Sequence, residues 1–425
     1  MKIENLLSDL IQIPSVNPPG GETEVAIYLK RLFDEHQIPN EIIESGPGRG
    51  SFFAYLGEGE KSLLYLAHID VVAVSEDWDF APFSGEIKDG FIHGRGALDC
   101  KGLAAAQAWA MFNLARSGKL GGRLIFAATA DEEAGGVQGV KYLADNYKDK
   151  LMADFCINEG GWQAMKIGGK ICHFVQIGEK GVCWSKMKTK GVAAHGSLPM
   201  LGDNAVVKMA EAIKGLADYQ PRITLVPEVE HLLRAIASLE GFGEKVTENN
   251  IYELIQEQGN QIFAGVLLAA TRMTVSTNSV QGGAKLNIIP DSCEADVDIR
   301  VLSGQDEEYV MRELGPIIGD AQMETLLYQA PTFSPTDSEY YRLILDNLQG
   351  FVGDGAILPC VSSGSTDSKY LRGLGIPCYG IDMVTMNLDA DMKRSVHGRN
   401  EKVDIASLQL KSDFLTELAR KYLGE

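Results

Sequence analysis

Two histidines and a small set of carboxylates in this chain stand where divalent cations could be held. His68-Ile69-Asp70 lies just beyond the apolar run at 63–67. Strand residues two apart project from one face, so His68 can bind a metal while Asp70 orients its ring. Taken alone, His-x-Asp is equally an ordinary strand-end hydrogen bond. The run Gly94-Arg95-Gly96-Ala97-Leu98-Asp99-Cys100-Lys101-Gly102 lacks the third glycine of a dinucleotide fingerprint and the Gly-Lys-Ser/Thr ending of a Walker loop. Its other use is to deliver Asp99 to a helix start, where a carboxylate either bridges two cations or simply caps the helix. Thr129-Ala130-Asp131-Glu132-Glu133-Ala134-Gly135-Gly136 puts three acids at a strand end. Their mutual repulsion is unfavourable without a cation, unless the segment is only a solvated acidic turn. One adjacent glutamate can bind metal while the other holds an attacking water as general base. Glu159 follows Phe155-Cys156-Ile157 and precedes Gly160-Gly161, again a carboxylate at a strand end. His397, in Ser395-Val396-His397-Gly398, is by itself an incidental loop histidine. As a set, two histidines and three carboxylates suit two zinc-like ions about 3.5–4 Å apart.

Positioning such a set needs a rigid frame. Leu6, Leu7, Leu10 and Ile11 recur at helical spacing, the loop from Pro14 to Gly21 breaks the chain, and Val25, Leu29, Leu32 and Phe33 begin again. Apolar runs at 51–56, 63–67 and 124–128 read as buried strands, with an alanine-rich helix at 101–116 between the last two. This alternation predicts an α/β layer fold with its chemistry at the strand carboxyl ends. From Val182 the character changes: 182–190 alternates like a half-exposed strand, 204–216 reads as a helix, and 272–276, 284–289 and 293–301 read as antiparallel strands. After Arg300 the alternation of helix and strand resumes through 306–318, 338–348, 355–359 and 376–380, closing with a helix at 405–422. The expected architecture is one α/β domain, residues 1–182 and 302–425, with an α+β domain inserted at 183–301.

The composition narrows the partners. Thirty-nine basic against 58 acidic residues leave a formal charge of -19, with no basic run, which excludes a nucleic-acid or anionic-membrane surface. The apolar stretches are too short to cross a bilayer and the first residues lack a signal-peptide core, so a cytoplasmic location is expected. Seven singly scattered cysteines point to neither a disulfide framework nor a thiolate zinc site.

Ala67-His68-Ile69-Asp70-Val71-Val72, Trp78 with Pro82-Phe83, Gly94 to Gly102, and Asp131-Glu132-Glu133 together resemble the M20 metallopeptidase and aminoacylase family in order and spacing. The resemblance spans nearly the whole chain, from Ile13 to His397. It implies a zinc-exopeptidase-like catalytic domain and an inserted lid and dimerisation domain. His68, Asp99 and Glu159 would hold one ion and Asp99, Glu133 and His397 the other, with zinc expected and cobalt or manganese also suited. Glu132 matches the general base, Asp70 the partner of His68, and the Asp99-Cys100 peptide is expected cis. Gly191-Val192-Ala193-Ala194-His195-Gly196-Ser197 and Gly202-Asp203-Asn204-Ala205 match the lid, and they make His195 the oxyanion donor, reaching across a homodimer. Asn204, Asn287, Arg300, Lys180 and Ser365 fall where relatives contact substrate.

The expected reaction is hydrolysis of an amide in a small carboxylated substrate, an N-acyl amino acid or a dipeptide. Glu159, in place of aspartate, is more similar to the acylase, desuccinylase and carboxypeptidase branches than to the aminopeptidases. Two departures from the desuccinylase pattern stand out: Lys180 in place of arginine, and Asp391-Met392-Lys393-Arg394 without an asparagine four positions before His397. Residues 221–265 make the lid longer than its minimal form. The alternatives are an aminopeptidase or dipeptidase of the same family, and a non-catalytic binding protein on the same fold.

Overall fold

The computed structural model describes the chain except Met1, 244–245, 248–249, 257–259, 383–391, 393–394 and Glu425. The approach to His397 therefore lies, apart from Met392, outside the described residues. The chain divides into two compact units, the first formed by Met1–Gly178, Phe333–Cys360 and Thr366–Glu425, the second by Glu179–Thr332 and Val361–Ser365.

In the first unit a mixed sheet sets Asn40–Glu44, Gly50–Leu56, Arg123–Thr129, Ser62–His68, Phe155–Asn158 and Cys378–Ile381 side by side. Ser62–His68 runs parallel to both of its neighbours and is buried throughout. A strand covered on both faces has no polar side to show, which is why its sequence is almost unbroken apolar. The period of two sorts adjacent side chains to opposite faces. Phe52 joins Phe33, Phe112 and Phe126 in an aromatic cluster with the helices Glu22–Glu35 and Lys101–Ser117. Phe53 instead packs with Leu64, Leu66, Ile125, Ala127 and Leu371. Lys101–Ser117 is the expected alanine-rich helix, and its entry is tight: a Cβ on Gly102 would stand 2.2 Å from the carbonyl oxygen of Ala97.

The second unit, taken by itself, carries an antiparallel sheet in the order Thr274–Gly282, Ser292–Val301, Gly181–Lys190, Gln322–Gln329. Ala205–Asp218 contributes Met209, Ala212 and Leu216 to the core over this sheet. The unit runs past Val301 to Thr332, correcting the expected boundary. Gln322–Gln329 hydrogen-bonds along Gly181–Lys190, and Val310, Leu314 and Ile318 complete the core around Met187 and Val297. The strand expected at 284–289 is only Ile288–Ile289, paired with Ala194–His195, and Leu286 is fully exposed. The long segment between Ala205–Asp218 and Thr274–Gly282 contains the helices Pro227–Leu239, Ile251–Gln256 and Gln261–Ala270. Among the described residues no helix is long and apolar enough to cross a membrane. All seven cysteines are buried.

Candidate metal centre

Three parallel strands end together. His68 closes Ser62–His68 in register with Thr129, Arg123–Thr129 leads into Asp131, Glu132 and Glu133, and Phe155–Asn158 delivers Glu159. Asp99 stands before the helix Lys101–Ser117, and the Asp99–Cys100 peptide is cis. The two oxygens of Asp99 face different histidines: Oδ1 lies 3.0 Å from His68 Nε2, and Oδ2 lies 3.0 Å from His397 Nε2. Glu159 Oε1 is 3.7 Å from His68 Nε2, and Glu133 Oε2 is 3.2 Å from His397 Nε2. Four side chains from four other places in the sequence thus gather around the Asp99 carboxylate, two histidines directly and two glutamates against those histidines.

Behind them stands buried Asp70. Its Oδ1 is 3.3 Å from His68 Nδ1, and it accepts hydrogen bonds from the backbone N–H of Glu132 (3.1 Å) and Glu133 (3.0 Å). One carboxylate therefore orients the imidazole and the two glutamates together. Glu132 and Glu133 start a short 3-10 turn. Asp131, the third acid of this run, faces away from the histidines. It accepts from Asn17 Nδ2 (3.2 Å) and the Gln138 N–H (2.7 Å) and lies 3.3 Å from Arg49.

The remaining expected residues lie in the second unit. His195 is exposed on the two-stranded ribbon, and the Ser197 N–H donates to its Nδ1 at 3.2 Å. An N–H can only donate, so Nδ1 is the acceptor and the neutral ring carries its proton on Nε2. Asn287 is exposed one residue from the same ribbon, and Ser365 is half-buried in a loop. Three expectations meet competing partners. Asn204 Oδ1 caps the helix Ala205–Asp218 by accepting from Val206 and Val207 N–H. The Arg300 fork is already bidentate to Asp298, at 2.7 and 3.0 Å. Lys180 is buried, with its ammonium donating to the carbonyls of Ala269 (2.8 Å) and Arg272 (2.7 Å) and to Thr274 Oγ1 (3.4 Å). All three of its donors hold the second unit's own chain.

Residues 64–421 match the family model described as peptidase family M20/M25/M40. The chain belongs to that family. It is 28% identical over 378 residues to a probable succinyl-diaminopimelate desuccinylase of Staphylococcus epidermidis, covering 87% of this chain and 85% of that protein. It is 26% identical over 445 residues to the human N-fatty-acyl-amino acid synthase/hydrolase PM20D1, covering 98% and 87% of the two chains. Its fold is similar to that of an M20 family metallo-carboxypeptidase from Sulfolobus solfataricus, with a TM-score of 0.76 at 21% identity and 99% of each chain covered. As an M20 member the protein is a metal-dependent hydrolase of amide bonds.

The electrostatics of this M20 centre follow from crowding acids around two imidazoles. Burial, then Glu159, pushes the Glu132 carboxyl well above its usual range, and burial raises Glu159 to about 8. Hydrogen bonds to Asp99 and Glu133 raise His397 to about 10. Burial works against the charge on His68, but Cys100, Glu159, Asp70 and Asp99 together hold it well above normal. Glu133 Oε1 is buried without a hydrogen-bond partner. Protons are thus retained where cations would stand, and an acceptor is left open.

Several residues around the centre had no role assigned to them from the sequence. Asn17, read as part of a chain break, donates to Asp70 at 2.8 Å, and Arg49 reaches Asn17 (2.8 Å) and Glu22 (2.7 Å). Asp367 is buried, receives Thr129 Oγ1 at 3.3 Å, and is pushed by burial to about 7. Arg95 and Glu401 pair at 2.7 Å. Only the known position of Asp70 and His397 in space would have pointed to them.

Proposed function

We propose that this M20 protein hydrolyses the amide bond of an N-acyl amino acid or dipeptide that keeps a free carboxylate. The observation that carries this reading is the posture of Asp99, whose two oxygens each face a histidine while Asp70 fixes the backbone of Glu132 and Glu133 beside them.

The donor set fits two divalent cations. Imidazole nitrogen and carboxylate oxygen suit zinc, and cobalt or manganese also, and the open acceptor on Glu133 is what such a site leaves without its ions. His68, Asp99 and Glu159 would hold one ion, and Asp99, Glu133 and His397 the other. Bound there, the ions supply Lewis-acid polarisation of the scissile carbonyl and lower the pKa of water. Glu132 takes the proton from the attacking water and returns it to the leaving nitrogen. Asp70 keeps the His68 ring and the Glu132 backbone in register throughout. His195 is the donor to the developing oxyanion, for which its Nε2–H tautomer is suited. In this reading the second unit serves as lid and dimerisation domain.

The acyl group is uncharged on this reading. With Lys180 committed to carbonyls, that position offers no free cation to the second carboxylate of a succinyl group. Arg300 and Asn287 are the proposed contacts to the substrate's own carboxylate, Arg300 after exchanging Asp298. Support comes from the relatives, one named for an N-acyl amino acid and one neighbour named a metallo-carboxypeptidase.

The test is Glu132→Gln together with a screen of N-acetyl, N-succinyl and dipeptide substrates under added zinc, cobalt or manganese. The variant is expected to keep its metal and to lose ~10²–10⁴ in kcat, the usual worth of a positioned general base. Near-parental turnover at full metal occupancy would remove the mechanism.

A further inference from the structure

Arg95 and Glu401 touch no reacting group in the mechanism above, yet they are 1% and 0% exposed. The Glu401 carboxylate accepts four hydrogen bonds. Oε2 receives Arg95 Nη1 (2.7 Å) and the Gly96 N–H (3.1 Å), and Oε1 receives the Leu98 N–H (2.7 Å) and the Asp99 N–H (3.1 Å). Arg95 Nη2 continues to the carbonyl of Gly398 at 2.6 Å, and the Gly94 N–H donates to the carbonyl of Glu401 at 2.8 Å. The Arg95 guanidinium lies 5.1 Å from the Trp78 ring centroid.

The two loops joined in this way are those that carry Asp99 and His397. The antiparallel pair Phe91–His93 and Lys402–Asp404 brings the two segments together as far as His93 and Lys402, and beyond it this ion pair and its backbone bonds fix the loops that run on to Asp99 and back to His397. The contrast with His68 is physical. His68 closes a buried strand and has Asp70 behind it, whereas His397 has a φ of 57° and a side chain 55% exposed. A buried ion pair is expensive to desolvate, and apolar packing could have joined two loops. Four convergent N–H groups on one carboxylate add direction as well, fixing the Asp99 backbone relative to Gly398.

We propose that Arg95 and Glu401 are positioning residues that hold the His397 loop against the shared carboxylate of Asp99, and so set the affinity of the half-site formed with Glu133. This rests on the metal-centre reading above.

The experiment uses the full chain stripped with a chelator and dialysed against graded free zinc. Metal is counted by mass spectrometry, the cobalt form is followed by its visible spectrum, and folding is checked by thermal melting. The parent is expected to take two ions. Glu401→Gln turns an amide N–H₂ toward backbone N–H donors, so the second ion should weaken by ~10–100-fold, the usual effect of losing a partner behind a ligand. The first ion should keep its parental affinity. At limiting metal kcat should fall with KM little changed, and saturating metal should restore it. Arg95→Lys keeps the charge on Glu401 but loses the fork to Gly398, and a smaller weakening of the same ion is expected. If Glu401→Gln does not fold, Arg95→Lys decides by itself. Parental affinity for the second ion in a folded variant, or equal weakening of both ions, overturns the clamp. A parent that takes fewer than two ions overturns the metal-centre reading and the clamp with it.

Discussion

In the proposed metal centre, a cation must displace the protons that the metal-free chain retains. His397 is raised to about 10 by Asp99 and Glu133, and Glu159 to about 8 by burial, so both are protonated at pH 7 in the metal-free chain. A raised folded-state value means that the His397 contribution to metal-free stability is complete below its unfolded pKa of 6.5 and is lost as pH rises through about 10. The same sign governs loading, because protons compete with the ions. Apparent zinc affinity should therefore climb from pH 6 to pH 8, with protons released on binding. Calorimetry in buffers of different ionisation enthalpy reads this directly, and zero release at pH 7 would contradict the assignment of His397 and Glu159.

At the scale of elements, the strand ends and helix starts owe their precision to side chains that perform no chemistry. Arg49, 7% exposed, bridges Glu22 and Asn17 and lies against Asp131, tying the helix Glu22–Glu35 and the strand Gly50–Leu56 to the turn that carries Glu132. Arg49→Met should leave Glu22 and Asp131 buried without their cation, at a cost of ~3–5 kcal/mol in urea unfolding. A loss under ~1 kcal/mol would mean the network is not a coupled unit. Gly102 shows the same economy of space. Alanine there must push its Cβ against the Ala97 carbonyl, 2.2 Å away, displacing either the helix start or Asp99. Gly102→Ala should cost ~1–3 kcal/mol. It should also lower the metal content after dialysis, and full metal retention with a parental melting temperature would refute the strain.

For the whole molecule, the second unit poses the main question. Met200 is 82% exposed and Leu201 66%, with Leu198 and Leu286 exposed as well, an apolar display that calls for a partner surface. In the homodimer proposed above, this face is covered by a second copy. A Met200→Asp, Leu201→Asp double variant should elute at the mass of one chain, 46.2 kDa, where the parent elutes at twice that. Its activity should fall with dissociation if His195 serves the neighbouring centre. A parent that runs as a single chain would end this proposal while leaving the metal centre untouched.

The frame and the candidate ligands were legible in the residues themselves. Buried parallel strands must be apolar along their length, so 63–67 and 124–128 announced themselves, and the polar residues that end them stood out against that background. His68, Asp99, Glu159 and His397 could be listed as candidates before any coordinates because few residue types bind cations, whereas the choice of Glu133 over Glu132 came only from the family resemblance. Their convergence was not legible, since His397 and Asp99 are distant in sequence and only folding sets them 3.0 Å apart. Nor were the supporting charges: Arg49 and Glu401 carry no motif, Arg95 stands in the Gly94 to Gly102 run without a role of its own, and Lys180 reads as a substrate contact. Lys180 shows the reason most clearly: whether an ammonium meets a substrate or three chain oxygens depends on burial and neighbours, which are properties of the tertiary structure alone.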